Sequence, residues 1–445
     1  MKRSTRADQS VVAVAAAGLL AWIATGSILP AAPPAGDHTA AVPQQEAELL
    51  ALYGMDAKRL AEFNDGRPLA EDELDPLLRM LVAVRRFSLS DLKQWRRPGL
   101  PNAADVKDTG PARGRIYRFE GRVKRVELKR LPADLADRFQ LERYYRCQFE
   151  AADKRPLIVY ALHVPRAWKP GKSLDQRAAV SGFLIKRTAK TDAVASARPA
   201  FVAQRVEFYP PDLLGHLGMD VGLLDDVEDH KPIEAAERTC FYSLLAAVQR
   251  SQPGALLRQA PRHEAIAPLF NQPAEQRGHL VGLTGTAIRA IPIAVEDREM
   301  LDVFGVDHYY EVEVVNPDSQ GNALVFCVLE LPPGMPSGER IATDVRAAGF
   351  YFKSWAYHPH LPDNQGLPPG EVKLRLAPLL IGRELALAVK PATSNWLANS
   401  ISVGLLFGAI LGMTLLAWWF RREDRRFRRS TPAGGEQPIS LPPVE

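Results

Sequence analysis

The chain of 445 residues repeats itself at an offset of 164 positions. Gly54-Met55-Asp56 recurs as Gly218-Met219-Asp220, and twelve of the thirty-nine residues from 54 to 92 recur at this spacing without a gap. Composition alone would give about two or three matches, and self-similarity at a fixed period indicates a repeat architecture. A unit of about 165 residues has the size of a typical domain. The sequence therefore predicts two tandem copies of one module.

Similarity further along the chain sets the predicted boundaries. Tyr144-Tyr145 recurs as Tyr309-Tyr310, and Gly182-Phe183-Leu184-Ile185-Lys186 matches Gly349-Phe350-Tyr351-Phe352-Lys353. The predicted segments are a cytoplasmic tail (1–10), a transmembrane helix or signal anchor (11–30), a linker (31–43), repeat one (44–210), repeat two (211–390), a second transmembrane helix (397–420) and a basic, then disordered, cytoplasmic tail (421–445).

Each repeat begins with a helical pattern and continues with strand-like alternation. Apolar residues between Leu74 and Val84 recur mostly every three or four positions, which predicts a helix that faces a core. Asp56 is a candidate N-cap, and Pro232 is the predicted start of the matching long helix in repeat two. Strands are predicted near 114–128, 143–150, 156–164, 178–187 and 200–208, and again near 278–292, 307–315, 323–331, 345–354 and 377–384. The predicted fold class is α+β.

Five strands per repeat, with a long first strand bent at Gly121, resemble the small, partly open β-barrel called the OB-fold. The resemblance covers strand number and order only. OB-folds often carry a helix between the third and fourth strands, whereas residues 165–177 read as a loop, and Pro132–Phe139 is the helical candidate between the first two strands. A generic antiparallel sandwich is the alternative.

Two uncharged apolar segments indicate membrane contact. Leu397–Phe420 is long enough to span a bilayer, has tryptophans at both ends and is followed by six arginines. Residues 11–29 follow Lys2, Arg3 and Arg6, and are read as an uncleaved anchor, with a cleavable signal peptide as the alternative. Because basic residues flank the terminal side of both segments, both termini are placed in the cytoplasm and the main domain outside it.

The charge distribution along the chain indicates which classes of partner fit it. The formal net charge of +4 is carried by the two tails, which leaves the middle region near neutral. Nucleic-acid binding depends on basic side chains that neutralise phosphate charge, so the near-neutral middle region predicts no nucleic-acid partner. The predicted partners are the lipid bilayer and a protein or polymer outside the cytoplasm.

Small residues recur every four positions in both apolar segments. They are Gly404, Gly408 and Gly412 in the second segment, and Ala13, Ala17 and Ala21 in the first. Such ridges let helix backbones approach closely, which predicts either an intramolecular hairpin or self-association. The alternative is that small residues are simply common in membrane helices.

No catalytic, cofactor-binding or metal-binding signature is specific in this sequence. A binding face is the remaining candidate, because OB-type barrels stack ligands on exposed aromatic rings. The candidates are the residues shared by both repeats: Tyr144, Tyr145, Lys186, Tyr309, Tyr310 and Lys353. Core or structural roles are the preferred interpretation of these residues, since packing also preserves residues in a duplicated unit, and the binding face is speculative.

The preferred function is a non-enzymatic, membrane-anchored protein that binds or scaffolds a ligand outside the cytoplasm. An enzyme, for example a hydrolase with dispersed catalytic residues, is the first alternative. A subunit of a larger membrane complex is the second. A pocket that unites titratable groups from both repeats would favour the enzyme.

Overall fold

The computed structural model describes residues 41–102, 109–188, 198–261, 265–357, 374–388 and 396–429. The fold is mixed α+β with two β-sheets. The described residues up to Ala386 form one compact unit, and those from Leu387 onward form a second. Both repeats therefore belong to the same compact unit.

Repeat one places short helices before its sheet. The described helices there are α1 (Ala41–Leu52), α2 (Ala57–Leu60), α3 (Leu74–Val84), α4 (Leu89–Trp95) and α5 (Ala133–Phe139). The strands are β1 (Arg97–Pro98), β2 (Ile116–Arg130), β3 (Arg143–Ala151), β4 (Pro156–His163), β5 (Ser173–Arg187), β6 (Pro199–Arg205) and β7 (Glu207–Phe208). The expected helix at 132–139 is present as α5, and the expected long strands lie within a few residues of their predicted positions.

The first sheet has seven strands in the order β1-β2-β3-β4-β6-β5-β7, and β2 also pairs with β5. Strands β2, β3, β4, β6 and β5 therefore form a closed ring of neighbours. The expected number of five strands is wrong for this sheet. The predicted fifth strand is interrupted at the buried Val206: β6 pairs with β4 and β5, whereas the following β7 pairs with β5. Strand β1 adds a short parallel pair to β2.

Repeat two follows the same plan. Its described helices are α6 (Leu213–His216), α7 (Ala235–Gln249), α8 (Ala255–Gln259), α9 (Ala267–Asn271), α10 (Pro273–Gln276) and α11 (Arg298–Phe304). Its strands are β8 (Leu280–Ala294), β9 (His308–Val315), β10 (Ala323–Glu330), β11 (Thr343–Tyr357) and β12 (Arg375–Leu387), which close a barrel in the order β10-β12-β11-β8-β9. The long helix begins at Ala235 rather than at Pro232.

The first long strand carries the same irregularities in both copies. A register shift falls between Val123 and Arg125 in β2 and between Ala287 and Arg289 in β8. Gly121 in β2 and Gly285 in β8 each stand two positions before the shift. A Cβ added at Gly121 would lie 2.1 Å from the carbonyl oxygen of Glu150, and one added at Gly285 would lie 2.5 Å from that of Val315. Only glycine fits there, because the neighbouring strand occupies the space of a side chain.

The recurring Gly-Met-Asp motif performs the same local task twice. In Gly54-Met55-Asp56 and Gly218-Met219-Asp220 the glycine takes a left-handed φ, +91° and +70°, and the methionine is buried. The aspartate then caps the following helical turn by accepting the backbone N–H of Arg59 at 2.9 Å or of Gly222 at 3.0 Å. The motif therefore ends one helix, fills the core and starts the next helix.

Each repeat has two hydrophobic cores, one inside the ring of strands and one between its outer face and the helices. Residues on β5 show the division: Leu184 belongs to the inner core, whereas Phe183 and Ile185 pack with α3. On β11 the alternation is the same, since Tyr351 faces inward and Phe352 packs with α7. The strands are thus buried on both faces, which explains their near-continuous apolar runs.

Within the described residues, one helix is long and apolar enough to cross a membrane. It is α12 (Trp396–Arg429), with the apolar window Leu405–Arg422 at a mean hydropathy of 1.2 and none of that window buried. Two such helices were expected. The first, at residues 11–30, lies outside the described residues, so the structure accounts for one.

His230 offers a test of the correspondence between the copies. It has a left-handed φ of +65°, and the matching position holds Gly66 with a φ of +82°. Left-handed backbone costs a side-chain-bearing residue about 1–2 kcal/mol, so we expect His230→Gly to raise the free energy of unfolding by about 1 kcal/mol. Urea denaturation of the purified chain measures this. The matched control Gly66→Ala should lower the same quantity, and equal stability of His230→Gly and the parent would contradict the prediction.

Candidate functional site

The paired tyrosines lie at opposite faces of their strands, as expected, but both faces are packed. Tyr144 is buried among the helices of repeat one, with its ring 6.3 Å from that of Tyr160, whereas Tyr145 packs against the inner core. In repeat two, Tyr309 contacts the helix-side core and Tyr310 the inner core. These rings contribute to packing on both sides rather than forming a fully exposed stacking surface.

The two lysines of the candidate binding face are in the interior. Lys186 Nζ lies 2.7 and 2.6 Å from the two carboxylate oxygens of Glu73, and Lys353 Nζ lies 2.8 Å from both oxygens of Glu237. Both lysine side chains are 0% exposed. Their placement on a surface is therefore corrected: each ammonium group is enclosed against a carboxylate at the N-terminal end of α3 or α7.

The same carboxylates also hold the loop that precedes each helix. Glu73 accepts backbone N–H groups from Asn64 at 2.6 Å and Ala70 at 3.1 Å. Glu237 accepts those of the matching residues Glu228 and Glu234 at 2.7 and 3.0 Å. We call each set of lysine, glutamate and two backbone donors a clamp, since it joins the fourth long strand, the helix and the loop.

A second acidic position supports each clamp. Asp65 accepts the backbone N–H of Arg187 at 2.8 Å and pairs with Arg113 at 3.1 Å. Asp229 accepts that of Ser354 at 2.8 Å and pairs with Arg277 at 2.5 Å. The recurrence of these aspartates and of the clamp glutamates was visible in the sequence, but their partners lie too far along the chain for spacing to indicate them.

The predicted membrane ridge is only partly within the described side chains. A Cβ added at Gly408 or Gly412 would meet nothing within 4 Å, so these positions are open in the single chain. Gly404 lies in α12, whereas Ala13, Ala17 and Ala21 lie outside the described residues. Helix packing through these residues stays a prediction.

A cavity of about 260 Å³ lies between the two repeats. Helices α4, α7 and α11 and strands β2, β6 and β7 contribute to its walls, with Arg96, Arg118, Glu207, Tyr209, Asp220 and Arg250 among the lining residues. We call it the junction cavity. Direct contacts hold its walls together, because Glu299 accepts the backbone N–H of Leu89 at 2.9 Å and Lys93 Nζ donates to the Asp302 carbonyl oxygen at 2.7 Å.

One wall of the junction cavity is a closed hydrogen-bonded group. Arg118 donates to both carboxylate oxygens of Glu207, at 2.5 and 2.8 Å, and Tyr209 donates its hydroxyl to the same carboxylate at 2.5 Å. Burial opposes ionisation, but the Arg118 guanidinium outweighs it and lowers the pKa of Glu207. Burial and Glu207 together raise the pKa of Tyr209. The carboxylate stays charged and the phenol stays protonated, so neither is poised as a base.

Asp220, from the recurring motif, forms another part of the wall. Its Oδ1 accepts backbone N–H groups from Phe208 at 2.9 Å and Gly222 at 3.0 Å. Its Oδ2 lies 3.1 Å from Arg205 Nε without hydrogen-bond geometry. Burial raises the pKa of Asp220 to about 6. Its counterpart Asp56 is exposed, so burial at the junction is what distinguishes the two copies.

Metal-ligating and thiol chemistry finds little support in the described residues. No group of three or more His, Cys, Asp or Glu side chains there could hold a metal ion. Cys147, Cys240 and Cys327 are buried free thiols, and burial raises the pKa of each. Such thiols are unreactive and act as small apolar side chains.

No protein-family model matches the chain, and no curated protein matches it. Among solved structures it is similar to the single-stranded DNA binding protein from Thermus aquaticus, with 10% identity, 63% of this chain and 95% of that chain covered, and a TM-score of 0.15. It is also similar to "a putative aspartyl-tRNA synthetase from Leishmania major Friedlin", with 10% identity, 49% and 46% coverage and a TM-score of 0.16. Likeness at these TM-scores carries no argument about what this chain binds.

The exclusion of a nucleic-acid partner is corrected: a single-stranded DNA binding protein is among the similar structures, and the near-neutral charge of the middle region does not exclude such a ligand. The exclusion rested on the near-neutral charge of the middle region. Net charge is a weak criterion, because single-stranded nucleic acid is also held by stacking of its bases on aromatic rings.

Removing the lysine of a clamp leaves a buried carboxylate without its cation. We expect Lys353→Met to lower the free energy of unfolding by about 3–5 kcal/mol for this reason. Adding Glu237→Gln should recover part of the loss, because the amide oxygen still accepts a backbone N–H without carrying charge. Chemical denaturation of the detergent-solubilised chain measures both.

Lys186→Met should behave like Lys353→Met if the two clamps are equivalent. The exposed Lys231, which pairs with Glu228 at 2.6 Å, is the matched control, and Lys231→Met should cost less than about 1 kcal/mol. Equal losses from Lys231→Met and Lys353→Met would refute the role given to burial.

The raised pKa of Asp220 predicts a pH dependence of stability. Between an ordinary unfolded pKa of about 4 and the folded value of about 6, the folded state binds a proton that the unfolded state does not. The free energy of unfolding should therefore fall by on the order of 3 kcal/mol as the pH rises through this window. In Asp220→Asn this contribution disappears.

Urea denaturation at pH 4, 5, 6 and 7 gives the difference between the parent and Asp220→Asn at each pH. Burial also raises the pKa of Glu46, so Glu46→Gln is the control that keeps the Asp220 contribution. A difference between parent and Asp220→Asn that does not change with pH would be the contrary result.

Proposed function

We propose that this chain is a membrane-anchored, extracytoplasmic binding or scaffolding protein built from two OB-like modules. The observation that carries the proposal is the junction cavity, which is formed by both modules and has more basic than acidic side chains in its lining. The apolar helix α12 supplies the anchor in this proposal, and the junction cavity supplies the binding site.

Strand order supports the assignment of both modules to the OB type. In each ring the first strand pairs with the second and fourth, the second with the third, the third with the fifth in parallel, and the fifth with the fourth. The long first strand is bent by a glycine and a register shift, as closing a small barrel requires. The added strands β1 and β7 extend the first ring without changing this order.

The polar groups of the junction cavity favour binding over catalysis, although they come from both repeats. Glu207 is held by Arg118 and Tyr209, and Asp220 already accepts two backbone N–H groups. The other charged side chains of the lining are Lys93 and three arginines, and arginine does not give up a proton in proteins. A hydrolase needs a general base within reach of a nucleophile, and among the described residues no serine or threonine hydroxyl of the lining hydrogen-bonds to Glu207 or Asp220.

The location is testable with cysteine labelling, because the native cysteines are all buried. We expect a membrane-impermeant maleimide to label Ser337→Cys, an exposed position in repeat two, in cells with an intact plasma membrane. Ser440→Cys, beyond the six arginines, should react only after lysis. Mass spectrometry of the labelled chain gives the readout.

The parent chain controls for reaction of the native thiols and should remain unlabelled. Labelling of Ser440→Cys in intact cells, with Ser337→Cys protected until lysis, would reverse the proposed orientation. Recovery of the chain in the soluble fraction would remove the anchor from the proposal.

A further inference from the structure

The junction cavity carries an excess of positive charge. Five basic residues line it, Lys93, Arg96, Arg118, Arg205 and Arg250, whereas the lining carboxylates are Glu207 and Asp220. Arg118 is neutralised by Glu207, and Arg205 lies beside Asp220. The other three basic side chains face no carboxylate within ion-pair distance among the described residues.

The three remaining basic groups differ in how their N–H groups are used. Lys93 donates to carbonyl oxygens at the end of α11, and Arg250 donates to the carbonyl oxygens of Leu217 at 2.6 Å and Gly218 at 3.1 Å. The half-buried guanidinium of Arg96 forms no hydrogen bond or ion pair with the described part of the chain. Burial and the nearby Arg118 both lower the pKa of Arg96. The cation that the described residues leave without a partner therefore lies beside the Arg118–Glu207 pair.

The rest of the wall limits the kind of anion that fits. Leu92, Leu223 and Phe304 contribute apolar surface next to the arginines. A volume of about 260 Å³ lies below the roughly 300–1,000 Å³ of pockets for drug-sized ligands. A guanidinium presents parallel N–H donors that match the two oxygens of a carboxylate or phosphate.

We propose that the junction cavity binds a small organic oxyanion, a carboxylate or phosphate on a compact apolar body, with Arg96 as the group that meets its charge. The proposal rests on the binding function above and names its ligand class. Binding would give the Arg96 guanidinium the charged hydrogen-bond acceptors that the described part of the chain does not supply. The apolar body would lie against Leu92 and Phe304.

The test uses benzoate and phenyl phosphate as probes of the full chain in detergent, with chloride at equal ionic strength as the reference. We expect either or both probes to raise the thermal midpoint of the parent and to give a saturable signal in calorimetry. Which probe binds more tightly tells carboxylate from phosphate. Arg96→Gln should weaken binding about 10- to 100-fold, because it removes charge-assisted hydrogen bonds.

Arg125→Gln is the matched control, since Arg125 is half exposed on β2 and lies outside the cavity. It should bind the probes as the parent does. Arg96→Lys keeps the charge without the parallel donors and should bind with an affinity between those of Arg96→Gln and the parent, which covers the case in which Arg96→Gln fails to fold.

No saturable binding of either probe to the parent overturns the proposal, and so does parent-like affinity in both Arg96 variants. These outcomes are independent of the labelling of Ser337→Cys and Ser440→Cys. A chain with the expected orientation that binds neither probe loses this inference alone, whereas a soluble chain that binds them loses the anchor alone.

Discussion

A buried ion pair between a lysine and a glutamate connects the helical and the β part of each repeat. Its members are Lys186 with Glu73 and Lys353 with Glu237. Ions buried this deeply are tolerated only when their remaining hydrogen-bonding capacity is filled, and each carboxylate also accepts two backbone N–H groups. The position of helix, loop and strand is therefore set by one carboxylate, because displacing any of the three would leave a buried polar group without a partner.

The contacts between the two repeats differ from the buried lysine–glutamate pairs inside each repeat. They include hydrogen bonds of part-exposed groups, such as Glu299 with Leu89 and Lys93 with the end of α11, and the contact of the buried Asp220 with the partly exposed Arg205. Asp220 shows how one position of the duplicated module changed its surroundings, since the equivalent Asp56 is a solvent-exposed cap. Duplication thus preserved the interior of each module and left its surface free to form the cavity.

The helices, most strand positions and the α+β class follow from local patterns of apolar residues, glycines and caps. Asp56 as N-cap and the helix at 132–139 are examples, because both depend on a few neighbouring residues. The interruption of the predicted fifth strand at Val206 was not predicted. Both β6 and β7 are extended segments, and the local sequence does not show which strands each of them pairs with. Lys186 and Lys353 were candidates for a binding face because they recur in both repeats; the carboxylates that pair with them lie more than a hundred positions away in the sequence. The junction cavity depends on contacts between repeats, which periodicity does not encode.

The separation of 113 residues between Lys186 and Glu73, and of 116 between Lys353 and Glu237, is comparable to that spanned by a long disulfide loop. Many secreted domains use such covalent bridges to tie distant segments together. Here all three thiols are free and buried, and electrostatic cross-links join the distant segments instead. Folding of this molecule consequently needs neither an oxidant nor a disulfide isomerase. Its interior is the same in a reducing compartment as in an oxidising one.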